Sequence, residues 1–254
     1  MTKSVFILLL LLIPGIITRS CVQAQEMTAT EIVQKSQDKA NGLTSMGTMK
    51  MTIVRPAWTR EVTMKAWSKT TDYSMIIITA PANDKGQVFL KRFNEMWNWM
   101  PNINRMIKLP PSMMSQSWMG SDFTNDDLVR MNSIVNDYTH TILGLEVIEG
   151  LNCYKIELIP KPEAAVVWGK VILWISKDDY YQMKAEYYDE DMALVTTMTA
   201  SDIKQMGDRK LPAKMEMIPE DKKGNETRLE MIDMKFNIPI EEGFFSQQNM
   251  KTIR

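Results

Sequence analysis

Residues 48–55 read TMKMTIVR and residues 58–67 read WTREVTMKAW. In the first stretch Met49, Met51 and Ile53 alternate with Thr48, Lys50 and Thr52; in the second Val62, Met64 and Ala66 alternate with Glu61, Thr63 and Lys65. Successive side chains of a strand point to opposite faces, so this period of two marks strands with one apolar and one wet face. Further strand candidates follow at YSMIIIT (73–79), GQVFLKRF (86–93), MWNWM (96–100), NRMIKL (104–109), DYTHTILG (137–144), CYKIELIP (153–160), GKVILWIS (169–176), YQMKAEYY (181–188), ALVTTMTASDI (193–203), LPAKMEMIP (211–219) and TRLEMIDMKFN (227–237). Turn residues such as NDKG, SKDD, GDRK and DKKGN separate them. Short connections imply antiparallel neighbours, hence an all-β meander in a strongly curved sheet or barrel.

Two segments depart from this pattern. In MTATEIVQKSQDKANG, Thr28 and Glu31 have capping-box spacing and Gly42 is a helix stop, which predicts a helix over 29–41. From Pro110 to about Asn136 the alternation stops. Thr124 and Asp127 form a second cap-like pair there, opening a short helix in NDDLVRMNSI. A loop this long inside a compact domain is usually functional or disordered, and its apolar content argues against disorder. Asp122, Asp126 and Asp127 lack the spacing of a calcium loop; capping and solvation is the plainer role.

The chain begins with Lys3 and the apolar run SVFILLLLLIPGII, shorter than the roughly twenty residues of a membrane span. It fits a signal peptide over residues 1–24, cleaved after VQA to start the mature chain at Gln25. A lipoprotein signal ending at Cys21 is the competing reading, and Arg19 makes a poor lipobox for it. With Cys21 removed only Cys153 remains, so the exported domain, residues 25–254, holds its fold by burial without an internal disulfide. A net charge of −1 with acids and bases interspersed excludes a nucleic-acid stripe.

Chemistry-bearing clusters are absent from the sequence. The single histidine, His140, sits in a strand pattern; Cys153 has no neighbour that would lower its pKa; no metal-ligand spacing or phosphate loop occurs. A secreted hydrolase would need a serine–aspartate site near His140. The 23 methionines and seven tryptophans of the 254 residues are the unusual feature, because methionine adapts to irregular partners. They concentrate between residues 96 and 119.

Three stretches, TATEIVQKSQDKANGLTS, WNWMPNINRMIKLP and above all SWMGSDFTNDDL (117–128), resemble the LolA-like family of outer membrane lipoprotein-sorting proteins. The resemblance implies a mainly β fold: an open antiparallel half-barrel, here of about eleven or twelve strands, with the N-terminal helix and a helical or loop lid on its concave side. It implies a periplasmic monomer that takes acyl chains of lipoproteins or lipids from an inner-membrane donor complex or exporter, with no cofactor, no metal and no reaction. A periplasmic lipid-sensing regulator or an exporter's accessory subunit is the alternative. Trp97, Trp99, Met113, Met114, Trp118, Met119 and Phe123 are then candidate cavity or lid residues. Met49, Met51, Val62 and Met64 are candidates for the cavity wall. Gly120 is the candidate hinge, and Arg105 the candidate partner that holds the lid through Asp122.

Overall fold

The computed structural model describes residues 27–130, 133–164 and 166–254. The leader, its cleavage site and Cys21 lie outside these residues. Helix α1 spans Ala29–Asn41. The strands that follow are β1 Thr44–Arg55, β2 Trp58–Lys69, β3 Tyr73–Ala80, β4 Val88–Arg92, β5 Glu95–Met100 and β6 Arg105–Lys108. A short helix, α2 Asn125–Arg130, lies in the interruption. Strands β7 Tyr138–Ile148, β8 Leu151–Pro160, β9 Lys170–Ser176, β10 Gln182–Tyr188, β11 Leu194–Met206, β12 Arg209–Pro219 and β13 Glu226–Phe236 complete the sheet, and α3 Gln247–Met250 ends the chain.

Among the described residues thirteen strands form one antiparallel sheet, one or two more than the resemblance implied. The order is β6-β5-β4-β3-β2-β1-β13-β12-β11-β10-β9-β8-β7. The first half of the meander runs outward from β1 to the edge at β6. The second half starts at the opposite edge, β7, and returns to β13 beside β1. The sheet is therefore an open half-barrel, and the chain must cross from one edge to the other between residues 109 and 137.

Local chemistry explains the elements. The Thr28 side chain accepts from the Glu31 amide (3.3 Å) while the Glu31 carboxylate accepts from the Thr28 amide (2.8 Å), so the predicted capping box starts α1. The amide hydrogen bond from Thr28 and its hydroxyl hold the Glu31 carboxyl below the usual range. At the β7–β8 turn Ile148 pairs with Leu151, and both central residues have positive φ, Glu149 at 48° and Gly150 at 78°. That is the geometry of a tight hairpin turn matched to the strand twist.

Both faces of the sheet are covered, by different parts of the chain. On the concave face Met51, Ile53, Val62, Met64, Ile76, Ile78, Phe89 and Met96 lie under the crossing segment. Farther round the same face, Ile156, Leu158, Val171, Leu173, Ile175 and Met198 pack with Ile32 and Val33 of α1. On the convex face Tyr73, Met75, Ile77, Val88, Leu90, Trp97 and Trp99 are covered by Phe245 and Met250. This second layer explains why Met75, Ile76, Ile77 and Ile78 are all buried instead of alternating. Toward the far end of the edge strand β7, Leu143, Leu145 and Val147 are exposed.

Candidate lipid-binding site

The segment SWMGSDFT closes on itself. The Trp118 amide donates to the Phe123 carbonyl (2.7 Å), Ser117 and Thr124 form an isolated antiparallel bridge, and the Ser121 hydroxyl donates to the Trp118 carbonyl (2.7 Å). Its flanks are tied in the same way: the amides of Asn125 and Asp126 donate to the carbonyls of Gln116 and Met114, each at 2.9 Å. Met119 and Gly120 both take positive φ, 54° and 80°, which the tight reversal requires. The loop is a prefolded plug.

The plug's apolar side chains face the sheet. Trp118 is buried and meets Phe89 edge-on, ring centroids 5.3 Å apart at 70°. Met114, Met119, Phe123 and Leu128 pack on the same cluster. The Trp118 Nε1–H is buried with no hydrogen-bond partner among the described residues.

The plug's polar groups fix it to the end of β1 and β13. Arg55 Nη1 donates to Asp122 Oδ2 (3.0 Å) and Arg55 Nη2 to the Gly120 carbonyl (2.7 Å). The Thr227 hydroxyl donates to the same Asp122 oxygen (2.7 Å), and Arg60 Nη1 donates to the Met119 carbonyl (3.3 Å). The expected Arg105 latch is thus corrected to Arg55. Arg105 is exposed on the edge strand β6, whereas Arg55 sits at the strand end directly under the loop.

Asp126 and Asp127 are not in water, as a solvated cap would be. Asp126 is buried and Asp127 half-buried, and both line the cavity. The capping pair itself exists: the Asp127 amide donates to the Thr124 hydroxyl (3.1 Å) and the Thr124 amide to Asp127 Oδ2 (2.7 Å). Trp168 Nε1 donates to the other carboxylate oxygen (3.1 Å). Burial pushes the Asp127 carboxyl above its ordinary range against these hydrogen bonds. Tyr187 stacks obliquely on Trp168, 5.2 Å between centroids. Burial first, and then the Asp127 charge, pushes its phenol up.

Between plug, α1 and sheet lies a cavity of about 340 Å³. Met49, Met51, Met64, Trp118 and Phe123 line it. Val62 is buried in the cluster beneath the plug, off the cavity wall. Met114 and Met119 pack on that cluster too, and Met113 is half-buried with its carbonyl accepting from Asn125 Nδ2 (2.9 Å). Trp97 and Trp99 are the clear correction: period two turns them away from Met96, onto the convex face with Phe245 and Met250. Lining residues that the sequence reading missed are Tyr138, Trp168, Tyr187 and Lys91, brought in from strands and a loop far apart in the chain. Only Trp168, in a polar and proline-bearing loop, carried a local signal.

His140 joins three parts of the chain. Its Nδ1 accepts from the Thr30 hydroxyl (3.1 Å) and its Nε2–H donates to the Ile134 carbonyl (2.9 Å), tying α1 and the crossing segment to β7. Burial lowers its pKa. Cys153 is fully buried, and burial pushes its thiol up. Among the described residues no group of acidic, histidine or cysteine side chains could hold a metal ion, and no helix is long and apolar enough to cross a membrane.

A family model described as "Uncharacterized protein" matches residues 70–252. The chain belongs to that family. No curated protein matches it. Solved structures share its fold, three of them over nearly their whole length. A domain described as that of an outer membrane lipoprotein-sorting protein, from Vibrio parahaemolyticus, is 25% identical with a TM-score of 0.78, over 88% of this chain and 98% of that one. A DUF1329 family protein from Desulfovibrio piger is 21% identical with a TM-score of 0.80, over 87% and 97%. A LolA superfamily protein from Nitrosomonas europaea is 24% identical with a TM-score of 0.76, over 88% and 100%. The open thirteen-stranded half-barrel is thus a LolA-like fold, and the cavity lies on the concave face of that fold, under the plug.

Proposed function

We propose that this LolA-like chain is a periplasmic carrier that binds an acyl chain of a lipoprotein or lipid and ferries it toward the outer membrane. It is a binding protein, not an enzyme, and it receives its cargo from an inner-membrane complex. The observation that carries this reading is the apolar concave face, roofed by a plug whose own aromatic side chains occupy part of it. A dry cavity of about 150 Å³ takes a benzene molecule, so about 340 Å³ accommodates roughly thirteen carbon atoms, one chain and not three. At about 0.8 kcal/mol per methylene such a chain gains on the order of 10 kcal/mol before ordering costs. Displacing Trp118 and Phe123 from the face offsets part of that gain and keeps release possible. Gly120 is the hinge of the movement, and the Arg55–Asp122 pair its latch. Met49, Met51, Met64, Trp118 and Phe123 contact the chain.

Native mass spectrometry of protein purified from its own periplasm, with lipid extraction, tests this. Acylated species are expected to co-purify. Protein that is consistently empty and also fails to take up fluorescent fatty acids overturns the proposal.

A further inference from the structure

One wall of the cavity is polar. Across four neighbouring strands Ser45 opposes Ser68, Ser68 opposes Ser74, and Ser74 opposes Lys91. Directly opposed residues share a face, so the four side chains form one row, and all four line the cavity. Ser45 and Lys91 are buried. The Ser45 and Ser68 hydroxyls are hydrogen-bonded (2.7 Å), and Lys91 Nζ donates to the Thr71 carbonyl (2.5 Å). The next row inward, two residues along each strand and about 7 Å away, is Gly47, Ala66, Ile76 and Phe89. Beyond it come Met49, Met64 and Ile78. The wall therefore changes from one cation and three hydroxyls to wholly apolar within a single step. Trp118 reaches down onto Phe89 at that step. An acyl tail has no use for an ammonium group and three hydroxyls. A negatively charged, hydrogen-bond-accepting head group does.

We propose that the cavity holds a single-chain anionic amphiphile in one orientation. Its head lies against the Ser45–Ser68–Ser74–Lys91 row, and its tail runs along Met49 and Met64 under Phe123. This rests on the carrier reading and narrows its cargo to one chain with an anionic head. The head is the carboxylate of a free fatty acid or the phosphate of a lysophospholipid.

The test is displacement of an uncharged fluorescent acyl probe from the delipidated full-length mature protein. The competitors are palmitate, lysophosphatidylglycerol, hexadecanol and hexadecyltrimethylammonium. The anions are expected to bind about ten- to hundredfold more tightly than hexadecanol, the range of one or two charge-assisted hydrogen bonds. The tighter anion identifies the head group, and the cation gains nothing over the alcohol. In Lys91→Met the anions fall to the level of hexadecanol while hexadecanol itself is unchanged; Ser68→Ala with Ser74→Ala gives a smaller loss of the same kind. Equal binding of palmitate, hexadecanol and the cation by the unaltered protein overturns the head-group site yet leaves an acyl carrier standing. Failure to bind any of the four overturns both. The ligand comparison decides the matter even where a variant does not fold.

Discussion

Arg55→Ala should release the plug without unfolding the sheet. Arg55 and Asp122 have only 12% and 6% of their side chains exposed, so the pair is shielded from water and salt. Breaking a buried pair from one side typically costs about 3–5 kcal/mol, because the surviving charge loses its partner. Here Asp122 keeps the Thr227 hydroxyl at 2.7 Å, which places the loss near the lower end, about 3 kcal/mol. The Gly120 carbonyl loses its donor in the same change. At about 1.4 kcal/mol per tenfold, the open plug becomes roughly a hundred times more populated.

Amide hydrogen exchange reads this directly. The amides of Trp118, Asn125 and Asp126, bonded within the plug, should exchange roughly a hundredfold faster, in line with that population shift. Amides of the central strands β2 and β3 should keep their protection. Stopped-flow entry of a fluorescent fatty acid should accelerate in parallel, and Arg105→Ala should change none of these rates. Unchanged plug exchange in Arg55→Ala, or equal loss of protection in plug and sheet, would refute the latch.

Three other outcomes are expected. Phe245→Ala removes a fully buried ring from the convex face, where it stacks on Tyr73 at 5.6 Å, and should lower stability by about 3–5 kcal/mol in urea titration while acyl-probe affinity stays put; a matching loss of affinity would contradict the separation of the faces. Trp168→Phe removes the donor to Asp127 and should cost about 1–3 kcal/mol. The Asp127 carboxyl is already raised, so its stabilising protonated form is lost as pH rises; the deficit of the variant should be larger at neutral than at acid pH, and a pH-independent deficit would count against the carboxylate. His140 has a depressed pKa, so its contribution is complete above the unfolded value of about 6.5 and is lost as pH falls through the folded value, with a slope of at most about 1.4 kcal/mol per pH unit. Subtracting the profile of His140→Gln cancels the opposite drift of Asp127, and identical profiles would show that His140 does not titrate with unfolding.

What the sequence disclosed depends on distance along the chain. The two capping pairs, Thr28 with Glu31 and Thr124 with Asp127, are local, and both are present. Period two located each strand but could not say which face is concave. It correctly sets Trp97 and Trp99 on one side and Met96 on the other, yet the cover of that side comes from Phe245 and Met250, about 150 positions further along the chain. The run MIII at 75–78 was the signal that both faces are covered, since a half-wet strand would not be apolar at every position. Arg105 looked like the latch through proximity alone. Arg55, 67 positions from Asp122, reaches it because β1 ends under the plug. Asp127 read as solvated because Trp168, from the loop between β8 and β9, and Tyr187, from β10, reach it from 41 and 60 positions away.

The place of the plug follows from the strand order, and its composition from its place. A meander that leaves β1 toward one edge and returns to β13 beside β1 has hairpin connections everywhere except between its two edges, β6 and β7. That one connection must travel the width of the sheet. Over the convex face it would compete with the C-terminal cover; over the concave face it finds the apolar side chains of β1 to β5 with no second sheet above them. A crossing segment there needs apolar groups below and polar anchors at its ends. SWMGSDFTNDDL supplies both: Trp118, Met119 and Phe123 for the sheet, Asp122 for Arg55 and Thr227, and Asp127 for Trp168. A ligand that reaches the part of the concave face beneath this segment must compete with it, so how firmly a dozen residues are held bears directly on affinity and release rate.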